Sequence, residues 1–258
     1  MKEFAPVAKF TVNMMYRFDG IDYFKMSKEI DVASWDNYPT WHKPSETVEE
    51  TALDTALMHD LYYSMKGRPF LLMESSPSFT NWQPISKQKR PGIAELAALQ
   101  TVAHGSDSVL YFQWRASGVR KKSSTVQSLA TMGGRMPAPS GRQSVWAKSW
   151  KCSQRLQQSA AQNRQRSSTI GKTSGHWKVP AALEMRDGYW DELKLHYNAL
   201  AREGIAVEFV NQESDLTGYG LVVVPMVYLL TDAFAKNSVI LPGMVVRSWV
   251  TILDRCGE

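Results

Sequence analysis

A carboxylate at the end of a short apolar run is the first feature of this sequence that could do chemistry. Phe70 to Met73 reads Phe-Leu-Leu-Met, and Glu74 follows directly, before a loop rich in Ser, Pro and Asn. A continuous apolar run of this length is typical of a strand buried on both faces of a parallel sheet. A carboxylate at the C-terminal end of such a strand can act as a nucleophile or as a general acid or base. The same position also suits a residue that only caps the strand in solvent.

The segments around Glu74 alternate between strand and helix patterns, which predicts a parallel α/β sheet. Ser45 is expected to cap the second helix, whose core face carries Leu53, Leu57, Leu61 and Met65 at four-residue spacing. Strands are expected at 9–15, 30–35, 70–73 and 108–114, and helices at 22–28, 45–65 and 91–102.

A second ordered region begins near residue 181. It reads as a helix at 189–202, strands at 205–210 and 221–225, and a helix that starts at 230. Leu193, Tyr197 and Leu200 fall on one face of the first of these helices. This succession is typical of a doubly wound domain. The region contains no Gly-x-Gly-x-x-Gly motif, so nothing supports a dinucleotide site.

Composition limits the classes of protein and of site. The 258 residues are 43% hydrophobic and include two cysteines, Cys152 and Cys256, which supply no disulfide framework and favour a reducing, cytoplasmic compartment. No apolar run approaches the length of a membrane span, and the N-terminus lacks the apolar core of a signal peptide. His42, His59 and His104 show no metal-ligand spacing, so we expect structural histidines and no metal.

A basic block separates the two ordered regions. Residues 116–180 hold twelve of the 30 Lys and Arg residues and none of the 25 Asp and Glu residues. Gly, Ser, Gln and Pro dominate the block, which predicts disorder. One interpretation is an arm that binds nucleic-acid phosphates. The other is a stretch translated in the wrong frame, since a random frame keeps no hydrophobic period.

Four motifs carry a resemblance to a known family. They are Ile-Asp-Val-Ala-Ser-Trp-Asp-Asn-Tyr-Pro at 30–39, the stretch from Arg68 to Trp82, Lys-Arg-Pro-Gly at 89–92, and His-Gly-Ser-Asp-Ser-Val-Leu-Tyr-Phe-Gln-Trp-Arg at 104–115. Together they resemble the β-galactosidases of glycoside hydrolase family 42. The resemblance implies the C-terminal half of a (β/α)8 barrel, followed by a flavodoxin-like doubly wound fragment that resembles the family's trimerisation domain.

The resemblance also implies site residues and partners. Glu74 matches the family's catalytic nucleophile, Trp82 matches a tryptophan that packs on galactose, and Tyr38 matches a tyrosine beside the nucleophile. The implied substrate is a terminal β-D-galactoside and the implied assembly a homotrimer, with no cofactor and with neither membrane nor nucleic acid as a partner. The family's acid/base is the Glu of an Asn-Glu pair, which occurs nowhere in the 258 residues, and the sugar-binding Glu and His that follow Gln-Trp-Arg are also absent.

These features predict four segments. Residues 1–115 are a partial catalytic barrel, 116–180 a disordered out-of-frame segment, 181–236 a partial trimerisation-like domain, and 237–258 an out-of-frame tail. Codons consistent with 122–128, 168–175 and 245–249 can spell family-like sequence in one neighbouring frame. We therefore expect a truncated β-galactosidase that is inactive as written. The alternatives are a non-enzymatic nucleic-acid-binding protein and a carbohydrate-binding remnant without turnover.

Overall fold

The computed structural model describes much of both ordered regions. The described residues are 3–16, 21–77, 87–112, 168–171, 185–216, 219, 221–225, 231–232 and 234. Internal contacts divide the chain into two units. The first comprises Met1–Phe18 with Lys25–Ala160, and the second comprises Asp19–Phe24 with Ala161–Glu258.

The first unit is built on a parallel sheet whose described strands follow chain order, β1-β2-β3-β4. Every neighbouring pair is parallel, as the alternation of strand and helix patterns predicts. The elements in chain order are β1 Met14–Met15, α1 Tyr23–Glu29, β2 Ser34–Asn37, α2 Val48–Ser64, β3 Phe70–Ser75, α3 Ile93–Ala103 and β4 Ser106–Val109.

All four strands differ in their bounds from the prediction. β2 begins at Ser34 rather than at 30, and β3 ends at Ser75 rather than at 73. β1 has two residues rather than seven, although the chain before it already lies beside β2: the Phe10 carbonyl accepts from the Asp31 amide over 2.8 Å. β4 begins at Ser106 rather than at 108. Gly105 explains the early start, because its φ of 96° lets the chain leave α3 and enter the strand at once.

α2 begins two residues later than we expected, because Thr47 and not Ser45 is its N-cap. The Thr47 hydroxyl accepts from the Glu50 amide over 3.1 Å, and the Glu50 carboxylate accepts from the Thr47 amide over 2.7 Å. This reciprocal pair is a capping box. A capping box needs Glu or Gln three residues after the cap, and Thr47 satisfies that spacing.

The core of the first unit lies between the sheet and α2. Leu57, Leu61 and Met65 of the predicted face are buried, and so are Met58 and Tyr62 on other faces of the helix. The Trp35 ring of β2 stacks on the Tyr62 ring at a centroid distance of 5.0 Å. α2 is therefore covered on more than one side, unlike a surface helix with one apolar stripe.

A register shift divides β3 into two parts. Trp35 of β2 pairs with Leu72, but the next residue, Asp36, pairs with Glu74, so Met73 has no partner on β2. Side chains alternate between the faces of a strand, so Glu74 would otherwise share the face of Leu72 and Trp35, toward α2. The extra residue reverses this alternation and places Glu74 on the face of Asp36.

The second unit contains a three-stranded parallel sheet of order β6-β5-β7 in its described part. Its elements are β5 Ser168–Gly171, α4 Met185–Arg202, β6 Val207–Val210 and β7 Leu221–Val223. On the predicted face of α4, Leu193 and Tyr197 are buried, and the Tyr197 ring stacks on Phe209 of β6 at 6.1 Å. Leu200 is partly buried.

β5 corrects one expectation about the basic block. We expected a disordered segment with little regular structure at 116–180, yet Ser168–Gly171 form the central strand of this sheet, paired to β6 and to β7. The neighbouring strands supply backbone partners that composition alone does not reveal. The rest of the block, and the predicted tail at 237–258, lie outside the described residues.

Candidate active site

Glu74 lies at the C-terminal end of β3, where the sequence placed it. Both of its carboxylate oxygens are hydrogen-bonded. The Tyr38 hydroxyl donates to Oε2 over 2.5 Å, and the Asn13 amide nitrogen donates to Oε1 over 3.1 Å. Tyr38 belongs to the loop that follows β2, and Asn13 directly precedes β1, so three neighbouring segments converge on one carboxylate. Two donors in fixed positions hold its plane in a single orientation.

The structure thus brings together Glu74 and Tyr38, two of the three residues that the family resemblance implicates. Burial is the main reason that the pKa of Tyr38 is raised above its ordinary value. The hydrogen bond to Glu74 and the charges of Glu74 and Asp36 raise it further. Tyr38 therefore keeps its proton at neutral pH and stays a donor to Glu74. Trp82, the third residue, lies outside the described residues.

Asp36 is a second carboxyl group at this site, and no sequence motif singled it out. It is the register partner of Glu74 on β2. Burial first, and then the Glu74 charge, raise the pKa of Asp36 to about 6, while the Asn13 side chain opposes this rise. The available signal was that Asp36 and Glu74 each directly follow an apolar run. The carboxyl ends of neighbouring parallel strands meet at one edge of a sheet.

A lysine holds the segment that follows Glu74. The Lys89 ammonium donates to the Ser76 carbonyl over 2.8 Å and also to the Ser76 hydroxyl. Burial lowers the pKa of Lys89 to about 7. Lys89 and Ser76 line a small cavity between β3 and α3 together with Tyr111, whose pKa burial raises to about 12. Lys89 thus ties the end of β3 to the chain that leads into α3.

Two histidines of the first unit have polar partners in the structure. His59 is fully buried, and its Nε2 lies 3.1 Å from the Thr101 hydroxyl. His104 Nδ1 lies 2.8 Å from the Asp60 carboxylate. Within the described residues, no three His, Cys, Asp or Glu side chains group closely enough to hold a metal ion. No helix of the described part combines the length and apolarity that crossing a membrane requires.

Two family models match the sequence. The model for β-galactosidase matches residues 1–135, and the model for the β-galactosidase trimerisation domain matches residues 146–240. Both ordered regions of the chain are included in these matches. The fold is accordingly the second half of a β/α barrel joined to part of a trimerisation domain.

Known relatives cover nearly the whole chain. It is 36% identical to β-galactosidase BglY of Alicyclobacillus acidocaldarius over 264 residues, and 34% identical to β-galactosidase GalA of Bacillus licheniformis over 271 residues. These alignments include 98% and 97% of the chain but 38% and 39% of the two relatives. The chain therefore spans less than two fifths of the length of either relative.

Solved structures agree with the sequence relatives. A catalytic mutant of Gan42B, a β-galactosidase from G. stearothermophilus, superposes with a TM-score of 0.75 at 31% identity. The cold-adapted β-galactosidase from Rahnella sp. R3 superposes with a TM-score of 0.72 at 35% identity. Both superpositions include 92% of the chain, and 36% and 35% of the respective solved chains.

Proposed function

The chain belongs to the β-galactosidases of glycoside hydrolase family 42, and from this membership we propose that Glu74 is the nucleophile of a retaining β-galactosidase. The observation that carries the proposal is the Glu74 carboxylate at the end of β3, held by Tyr38 on one oxygen and Asn13 on the other. A nucleophile must approach one carbon along one line, and a carboxylate fixed by two donors is already aligned for that attack.

The proposed reaction proceeds in two steps. In the first, a Glu74 oxygen bonds to the anomeric carbon of a terminal β-galactoside as the bond to the leaving oxygen breaks. In the second, water attacks the same carbon, the ester to Glu74 breaks, and galactose leaves with its original configuration. Tyr38 and Asn13 hold the Glu74 carboxylate by hydrogen bonds before the first step and donate to it again after the second.

The leaving oxygen needs a proton in the first step, and the attacking water must lose one in the second. The Asn-Glu pair that supplies this group in the family does not occur in the 258 residues, so the proposal assigns the acid/base role to no residue of this sequence. Reactions that need an acid are consequently poor tests of Glu74. A substrate whose leaving group departs without a proton is a better one.

Three further elements of the proposal extend beyond the described site. Trp82 is assigned to pack on the face of the galactose ring, as the resemblance to the family implies. A homotrimer is the proposed assembly, supported by the match of residues 146–240 to a trimerisation domain. A cytoplasmic location rests on the use of cysteine and stays a prediction.

Covalent trapping tests the nucleophile. The reagent is a dinitrophenyl β-galactoside in which fluorine replaces the hydroxyl next to the anomeric carbon. Dinitrophenolate leaves without a proton, while fluorine slows the release of the sugar, so an ester accumulates. We expect mass spectrometry to find one fluorogalactosyl group, located by peptide mapping on Glu74.

Two variants and one isomer make the trapping experiment specific. Glu74→Gln should take up no label, whereas Asp107→Asn, which changes an exposed carboxylate on the neighbouring strand β4, should label like the parent chain. The α-anomer of the reagent should not react. Label on another carboxylate would overturn the assignment of Glu74. Saturable binding without any label would favour a carbohydrate-binding protein that lacks turnover.

A further inference from the structure

Asp36 and Glu74 form a pair of carboxyl groups on neighbouring strands. They are direct register partners, and the shift at Met73 places them on one face of the sheet. The two carboxyl groups differ in the hydrogen-bond donors that reach them. Both Glu74 oxygens are hydrogen-bonded, while Asp36 Oδ1 is buried and has no partner among the described residues.

Among the residues that the structure describes, the groups that face Asp36 are few. From β3 it meets the Glu74 carboxylate, from the loop after β2 the Tyr38 hydroxyl, and from the segment before β1 the Asn13 amide. None of these groups carries a positive charge. Two adjacent carboxylates without a cation cannot both ionise at little cost, so one of them tends to keep a proton. Glu74 has the two donors, and Asp36 is therefore the member that holds the proton.

We propose that Asp36 is a positioning residue that, in mildly acidic solution, is neutral while Glu74 is charged and takes over the negative charge while Glu74 is bound to the sugar. This inference rests on the proposed function, because it needs a reaction in which Glu74 becomes an ester. Burial is the first cause of the raised pKa of Asp36, and the Glu74 charge is the second. An ester carries no charge, so the part of the rise that is due to Glu74 ends when the sugar bond forms.

The charge alternates without any additional reactant. When Glu74 bonds to the anomeric carbon, the Asp36 O–H bond breaks and its proton passes to water, which reaches the half-buried carboxyl group. When water cleaves the ester, Glu74 regains its charge, a proton is set free, and Asp36 binds a proton again. The site thus keeps one negative charge throughout. That charge faces the positive character that the anomeric carbon develops in each step.

The first test measures the ionisation of Asp36 directly. The chain is prepared with carbon-13 in its aspartate carboxyl groups, and Asp36→Asn identifies the resonance by its loss. In the untreated chain we expect Asp36 to titrate near 6. In Glu74→Gln, which is neutral like the ester, and in the trapped chain, its pKa should fall toward the ordinary aspartate range. An unchanged titration in both would overturn the inference.

The second test separates positioning from a structural role. Asp36→Asn cannot acquire a charge, so the trapped variant should release its sugar more slowly than the trapped parent, by about tenfold for each pKa unit of lost interaction. The pH profile of release should also lose its inflection. If Asp36 had only a structural role, Asp36→Asn would lower stability and the pH profile of release would keep this inflection. Asp107→Asn is the matched control and should release the sugar at the parental rate.

The outcomes distinguish the two proposals. If Glu74 is trapped but the pKa of Asp36 is the same before and after trapping, the charge alternation is overturned. The assignment of Glu74 as the nucleophile then stands. No trapping on Glu74 overturns the proposed function, and the role of Asp36 in a reaction is overturned with it. Trapping on Glu74, a lower Asp36 pKa in the ester and slow release in Asp36→Asn together support both.

Discussion

The Tyr38 hydroxyl donates a hydrogen bond of 2.5 Å to Glu74 Oε2, which joins the loop after β2 to the end of β3. Tyr38→Phe removes this donor and keeps the ring. A hydrogen bond to a charged group contributes about 1.5–3 kcal/mol, so we expect trapping of Glu74 to slow by roughly tenfold to a hundredfold. The rate of dinitrophenolate release measures this loss.

A matched tyrosine elsewhere in the chain supplies the control for Tyr38→Phe. The Tyr219 hydroxyl donates to the Glu208 carboxylate over 2.9 Å in the second unit. Tyr219→Phe deletes the same kind of bond away from Glu74 and should leave the trapping rate unchanged. Equal rates for Tyr38→Phe and the parent chain would show that Tyr38 does not orient the nucleophile.

Turnover by the 258-residue chain should be too slow to measure with a nitrophenyl β-galactoside. The sequence offers no Asn-Glu pair to protonate the leaving oxygen or activate water, and general acid–base catalysis contributes about 10²- to 10⁴-fold. Release of nitrophenol over hours is the measurement. Turnover that disappears in Glu74→Gln would contradict this prediction, and turnover that persists there would also remove Glu74 as the nucleophile.

Acid should destabilise the first unit through His59. Burial above all, and then the neighbouring His104, hold the pKa of His59 well below its ordinary value of 6.5, although Asp60 opposes them. The unfolded chain therefore binds a proton that the folded chain excludes, and stability falls as pH drops below about 6.5. Urea midpoints measured between pH values of about 8 and 5 should decrease accordingly.

His59→Gln isolates this contribution, because a glutamine amide can still bond to the Thr101 hydroxyl but does not titrate. Its midpoints should depend less on pH than those of the parent chain. Asp36 acts with the opposite sign in part of this range, since a raised carboxyl pKa favours the folded state at low pH. That contribution is common to both proteins and cancels in their difference. Parallel curves would therefore exclude His59 as the source.

The capping box of α2 makes a local prediction about stability. Thr47→Ala removes the hydroxyl that accepts from the Glu50 amide and should reduce the free energy of unfolding by about 1 kcal/mol. Ser45→Ala is the control, because Ser45 lies outside the box and its loss should have little effect. Chemical denaturation of the three proteins side by side decides between the two caps. A larger loss for Ser45→Ala would contradict the structure.

The coding DNA tests the origin of the basic block. If residues 119–180 are out of frame, the neighbouring frame should be open there and should spell β-galactosidase motifs. A closed neighbouring frame would remove the frameshift hypothesis. The nucleic-acid alternative predicts instead that the chain binds duplex DNA with an affinity that falls steeply as salt is added.

The sequence predicted which strands and helices the first unit contains better than it predicted the residues at which they begin and end. Apolar runs before Asp36 and Glu74 located β2 and β3, and the charges after Thr47 located the start of α2 to within one turn. The choice between Ser45 and Thr47 depended on the reciprocal bond with Glu50, since Val48 stands three residues after Ser45 and cannot form a capping box. β5 escaped prediction because its four residues gain their strand conformation from β6 and β7, not from a pattern of their own.

The sequence singled out Glu74 and Tyr38 as neighbours but not Asp36, and it did not predict the orientation of Glu74. The resemblance identified Glu74 and Tyr38, and the structure brings them into contact. Strict alternation along β3 would have directed Glu74 toward α2, on the side of Leu72. The sequence around Met73 does not reveal the register shift that reverses this orientation, because the shift depends on how β3 pairs with β2.

Because Met73 has no partner on β2, the residues before it and after it on β3 meet different structural constraints. Phe70 and Leu72 are constrained by the packing of α2, whereas Glu74 and Ser75 are constrained by what lies beyond the strand end. Deleting Met73 would leave every buried neighbour of Phe70 in place and turn the carboxylate inward. Loss of the single Met73 codon would thus keep the packing of the strand and remove the carboxylate from the site, as a substitution of Glu74 itself would.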